Sequence, residues 1–109
     1  MDKKEALKIV QEEPLSLEEL PAMFKKDKEI VLEAVTNFGD ALEFADESLK
    51  KDKEVVLEAI KNNCYSIQYA DESLKKDKEV AMTAIKKNSY CIKFVDKSFM
   101  RDPDFIAIK

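Results

Sequence analysis

Histidine is absent from this 109-residue chain, glycine occurs once, proline three times and cysteine twice. Without histidine, the commonest general base and the commonest metal ligand are both missing. A single glycine excludes a glycine-rich loop for phosphate and argues against the many tight turns of a β-sandwich. No apolar run approaches the roughly 18 residues of a membrane span. The opening MDKKEALKIV lacks an apolar stretch of signal-peptide length, so a cytoplasmic location and no membrane partner are expected. Two cysteines do not make a disulfide framework. A net charge of −4 disfavours nonspecific nucleic-acid binding. What remains is a chain 45% hydrophobic and 39% charged, read as a single domain over residues 1–109 with enough length to bury a core.

The dominant feature is repetition. The eleven letters ADESLKKDKEV occupy residues 45–55 and again 70–80. Aspartates fall at Asp2, Asp27, Asp52, Asp77 and Asp102, every interval being 25 residues. They divide the chain into units 2–26, 27–51, 52–76 and 77–101 and a half-unit 102–109. A fixed period of this size marks an array in which each unit covers its neighbour's apolar face. The expected fold is therefore all-α: a solenoid-like array of four two-helix units and a terminal half-unit.

Each unit reads in the same way. Asp52 is a good helix N-cap, and Glu54 sits in the first turn, where the helix dipole favours a carboxylate. Val55, Val56, Leu57, Ala59 and Ile60 then cover a broad arc, with Leu32, Leu57 and Met82 expected to be buried at matched positions. Asn62 and Asn63 end the helix, asparagine being tolerant of the left-handed conformation. Pro14, Gly39, Cys64 and Ser89 share the next site, which reads as a corner between helices. A short second helix over Tyr65–Ala70 should turn Ile67 and Ala70 inward. The small residues Ser16, Ala41, Ser66 and Cys91 share a site that suggests close helix approach. DESLKK forms a capped single turn with Leu74 inward and delivers the chain to the next aspartate. Unit 1 departs most, with Pro14, Pro21, Glu18 and Glu19, and reads as a polar cap on the array.

The pattern Asp-Lys-Glu-Val-Val-Leu-x-Ala-Ile-Lys-x-Asn, followed by Tyr-x-Ile-x-Tyr-Ala-x-Glu-x-Leu-Lys-x-Asp, resembles the helical repeats of domain of unknown function 4116. The resemblance covers residues 27–101 well and 2–26 loosely, and of the glycines common after the first helix only Gly39 is kept. It implies an all-helical array and no catalytic residue.

Chemistry is sparse. Cys64 and Cys91 fall at different sites of the unit and are expected to be reduced, unbridged small apolar residues. The i,i+4 carboxylate pairs Glu29/Glu33 and Glu54/Glu58 suit a cation or an acid–base couple in spacing, but they lie on the polar stripe, where solvation accounts for them. Phe44, Tyr69 and Phe94 recur at one site, either as a base-stacking ladder or as packing between units, and packing is the commoner role. KKDK at 25–28, 50–53 and 75–78 would line up as a basic ridge including Lys50, Lys51, Lys75 and Lys76. No catalytic residue, cofactor or metal is expected. The leading function is a protein-interaction scaffold whose partner is another protein or another domain of a longer chain. Tyr65, Tyr90 and Asp40, at a site that varies between units, are the candidate surface together with those lysines. RNA or single-stranded nucleic acid on the lysines and tyrosines is the alternative, and an enzyme comes third.

Overall fold

The computed structural model describes residues 1–106. Unit 1 holds helix α1 (Lys3–Glu12), a 3-10 helix over Pro14–Glu19 and a single turn, α2 (Ala22–Lys25). Unit 2 repeats this as α3 (Lys28–Asn37), the 3-10 helix Gly39–Phe44 and α4 (Glu47–Lys50). Unit 3 holds α5 (Lys53–Asn62), the 3-10 helix Cys64–Tyr69 and α6 (Glu72–Lys75). Unit 4 has α7 (Lys78–Lys87) and the 3-10 helix Ser89–Phe94, but its closing turn, Lys97–Arg101, is also 3-10. The short α8 (Pro103–Ile106) follows. The expected array is present, with no strand among the described residues. The last three positions of the terminal half-unit, Ile108 among them, lie outside the described residues.

The short second helix is 3-10 rather than α, and its buried residues explain why. Cys64, Ile67 and Ala70 are buried at a spacing of three, as are Gly39, Leu42 and Ala45 one unit earlier. A 3-10 helix has three residues per turn, so such residues align on one face. The long helices bury a different set. Ile30, Val31, Ala34 and Val35 are fully buried, as are Val55, Val56, Ala59 and Ile60. Leu32, Leu57 and Met82, expected in the core, are only half-buried against it. They lie at the margin of the apolar arc, next to Glu33, Glu58 and Thr83.

The expected left-handed helix end is also absent. Asn63 has φ −152° and ψ 110°, an extended residue whose side chain instead accepts from the N–H of Tyr65 and caps the 3-10 helix. Among the described residues none has a positive φ, the one glycine included. Gly39 is needed for space. A Cβ there would stand 2.6 Å from the Ser66 hydroxyl and press on the Ala59 carbonyl of the next unit. Its N–H donates to Asn62 Oδ1 at 2.7 Å, while Asn62 Nδ2 donates to the carbonyls of Thr36 and Asn37.

Two sets of contacts stitch unit to unit at the junctions. The first is a ladder of ion pairs. Lys3 reaches Asp27 at 3.2 Å and Glu29 at 2.8 Å. Lys28 reaches Asp52 at 3.0 Å and Glu54 at 2.7 Å. Lys53 reaches Asp77 at 3.1 Å and Glu79 at 2.7 Å, and Lys78 reaches Asp102 at 3.3 Å and Asp104 at 2.6 Å. Each repeat aspartate thus divides its carboxylate. In Asp52, Oδ1 accepts from the N–H groups of Glu54 and Val55, and Oδ2 takes the lysine of the unit before. The second set is backbone: the N–H groups of Asp46, Asp71 and Asp96 donate to the carbonyls of Lys25, Lys50 and Lys75 at 3.0–3.1 Å. Unit 1 has Pro21 at the matching site, a residue with no N–H to donate.

Three stability outcomes follow from this packing. Ile60→Ala should lose about 2–5 kcal/mol in chemical denaturation, and Leu57→Ala clearly less, because only the first empties a closed site. Gly39→Ala should cost about 1–3 kcal/mol by overpacking. Asp52→Asn keeps a capping oxygen and gives up the charge, so it should cost less than Asp52→Ala, for which about 1–2 kcal/mol is expected.

Candidate interaction surface

The corners between the long helices and the 3-10 helices line one edge of the array. At this edge Glu13, Pro14, Leu15, Asn37 and Phe38 enclose an open, mainly apolar groove of about 440 Å³. Leu15 is 48% exposed and Phe38 39%. The matched positions in units 3 and 4 are Asn63 with Tyr65 and Asn88 with Tyr90. Tyr90 is 75% exposed, the most open large apolar side chain among the described residues.

The three candidate side chains differ in their surroundings. Tyr65 is half-buried, its ring edge-on to Phe94 at 6.0 Å between centroids, and its hydroxyl accepts from Asn88 Nδ2 at 3.3 Å. Asp40 accepts from the buried Ser66 hydroxyl at 3.0 Å. Both side chains are engaged with the following unit. Tyr90 has the same register but no corner 3-10 helix of a following unit beside it among the described residues, so its ring stands in solvent. Phe44, Tyr69 and Phe94 are half-buried against the core, so their faces are not an open ladder. Burial, with Glu43 and Asp40 nearby, pushes the Tyr69 hydroxyl above its ordinary pKa.

The lysine junctions are charge-alternating rather than a clean basic ridge. Lys50 and Lys75 are half-buried and pair with Glu47 at 3.4 Å and Glu72 at 3.2 Å. Lys28, Lys53 and Lys78 belong to the ion-pair ladder. Lys26, Lys51 and Lys76 stand exposed outside these pairs, and each faces a carboxylate, Asp46, Asp71 or Asp96 respectively. Hydrogen bonds from the side chain and N–H of the serine two residues on, then these lysines, hold the three carboxyls below the ordinary range. At Asp52 burial pushes upward, but the Lys28 ammonium and the capping N–H groups outweigh it and the net shift is down. Glu29, Glu54 and Glu79, read as a solvated stripe, are the partners of the ladder lysines. Hydrogen bonds to those carboxylates hold Lys3, Lys28 and Lys53 above the usual lysine range.

The cysteines correct the sequence reading. Cys64 and Cys91 are joined as a disulfide, with Cα atoms 6.4 Å apart. Different repeat sites had suggested that they would not meet. Stacking brings unlike sites together: the corner residue of one unit faces the small-residue site of the next, 27 residues on. Gly39 faces Ser66 through the same register. The groove residues Leu15 and Phe38 were also not singled out together. The signal for them was Phe38, an aromatic at a site that holds Glu13, Asn63 and Asn88 in the other units.

Among the described residues no group of three or more acidic, histidine or cysteine side chains forms a metal site, and no helix is long and apolar enough to cross a membrane. A family model described as Domain of unknown function (DUF4116) matches residues 2–50 and again 52–100, so each match spans two of the 25-residue units. Neither curated proteins nor solved structures gave a match.

Two solution measurements test this description. Alkylation of the denatured, unreduced chain should leave both cysteines unmodified, and reduction should lower stability by about 2–4 kcal/mol. Stability should be level through neutral pH and fall at both extremes. Depressed aspartates stabilise above their unfolded pKa near ~3.9 and lose that contribution as pH drops through the folded values. Raised lysines stabilise below their unfolded pKa near ~10.4 and lose it as pH climbs past the folded values. Denaturant midpoints across pH would show this, and a profile still rising below about pH 4 would contradict it.

Proposed function

This chain belongs to the family of domain of unknown function DUF4116, and from that premise we propose that it is a non-enzymatic protein-interaction module that presents the corner edge of the array to a partner. The observation that carries this reading is the contrast between the two sides of the unit. Most junction lysines are paired with carboxylates of their own or the next unit, whereas the corner edge keeps Leu15, Phe38 and Tyr90 uncovered. Aromatic side chains in such positions are the usual anchors of protein interfaces. The partner is another protein or another domain of a longer chain. A cytoplasmic location belongs to the same proposal. The bonded cysteines pull against it, since disulfides persist mainly in oxidising compartments, and a thiol count on the chain taken from cells weighs the two.

The test is site-specific photocrosslinking in cells from position 90, followed by binding of the purified chain to the protein captured. Tyr90→Ala and Phe38→Ala should each weaken that binding about tenfold or more, the equivalent of ~1.4 kcal/mol, with the thermal transition unchanged. Equal binding by both variants would overturn the reading. Nucleic acid is the competing ligand. A short labelled RNA should bind no more tightly than ~10⁻⁴ M at physiological salt, because each exposed junction lysine faces a carboxylate that offsets its charge. Micromolar anisotropy binding that is lost on changing Lys50, Lys51, Lys75 and Lys76 to Glu would replace the protein-interaction reading with a nucleic-acid one.

A further inference from the structure

The charges along the corner edge are graded from one end of the array to the other. Its positions in each unit are the last two residues of the long helix, the cap, and the outward residues of the 3-10 helix. Unit 1 places Glu12, Glu13, Glu18 and Glu19 there, a charge of −4. Unit 2 places Asp40 and Glu43, a charge of −2, and unit 3 only Lys61, a charge of +1. Unit 4 places Lys86, Lys87 and Lys93, a charge of +3. Apart from Lys61, which lies 3.6 Å from Glu58, none of these side chains makes an ion pair among the described residues. The junction side of the same units is ion-paired at every step. Apart from Lys61 and from Asp40, which also holds the Ser66 hydroxyl, the edge charges are therefore available, and they are ordered.

We propose that this edge pairs antiparallel with the same edge of a second chain. A two-fold axis set between units 2 and 3 puts unit 1 opposite unit 4 and unit 2 opposite unit 3, in both directions at once. The charges then meet as −4 with +3 and −2 with +1. A parallel arrangement would set like charge on like at each end, so the gradient fixes orientation as well as partner. The apolar groups obey the same symmetry. The exposed Tyr90 ring of one chain falls opposite the Leu15–Phe38 groove of the other, twice per pair. The array measures 49 × 22 × 17 Å. Even its narrowest long side, 49 Å by 17 Å, has an outline of about 800 Å², the area each partner contributes to a standard interface.

The inference rests on reading this edge as the recognition surface, and it adds what occupies it. Charge reversal by pairs tests it, read by sedimentation equilibrium on the full chain, with circular dichroism confirming retained helix. The unchanged chain should dimerise at low salt and dissociate as salt is raised. Glu12→Lys with Glu13→Lys should be monomeric, and so should Lys86→Glu with Lys87→Glu. An equimolar mixture of the two variants should dimerise again, because each reversed end then meets its complement. A chain that is monomeric at low salt, a dimer indifferent to both reversals, or a mixture that stays monomeric would overturn self-pairing. The Tyr90-dependent capture described above is a separate readout, so a monomer that still captures a partner through Tyr90 would overturn self-pairing alone.

Discussion

One carboxylate per unit, divided between two tasks, is the constraint from which the array follows. Asp27, Asp52, Asp77 and Asp102 each give Oδ1 to the N–H groups that open a helix and Oδ2 to a lysine one unit back. The first task fixes where a helix starts, and the second fixes where that start lies relative to the preceding helix. Exposed ion pairs of this kind contribute little energy individually. Their weight is geometric, because the same atom sets meet at every junction and so impose the same step between units. The apolar layer supplies the stability within that frame. Two fully buried residues in α1, four buried residues in each of α3, α5 and α7, and a buried row at every third position of the 3-10 helices in units 2 and 3 close over one another from unit to unit.

Much of this was legible in the residues. The 25-residue period, the aspartate caps, the corner at Pro14, Gly39, Cys64 and Ser89, and the inward Ile67, Ala70 and Leu74 can be read without coordinates. The rest was hidden for a specific reason. Aligning units by sequence sets like sites side by side, whereas stacking joins unlike sites. That offset pairs Gly39 with Ser66 and Cys64 with Cys91, and it sends Lys28 to Asp52 and Glu54. The lysines of the DKE motif look like part of a ridge in the sequence, because nothing local to the motif says that its partner lies in the next unit. Leu57 was placed in the core on hydrophobicity alone, although its neighbour Glu58 marks the margin of the buried arc.

The candidate surface followed the same rule. Tyr65, Asp40 and Tyr90 share a site, and variation at that site suggested freedom to bind. Two of the three instead serve the adjacent unit, through Asn88 and Ser66. Of these three, only Tyr90, with no corner 3-10 helix of a following unit beside it among the described residues, stays open. In an array, exposure is thus a property of a unit's place in the series as much as of its residue.

Because each unit grips only its neighbours, the array is also a set of links in series. A pull applied at its two ends passes through every junction with equal force, so the links yield in order of weakness rather than together. The disulfide between units 3 and 4 removes one of those links from the contest. Stretching would then open the non-covalent junctions first, those between units 1 and 2, between units 2 and 3 and between unit 4 and the half-unit, and lengthen the chain in steps. The covalent link would hold the C-terminal pair as a block, and its reduction would move the first point of extension.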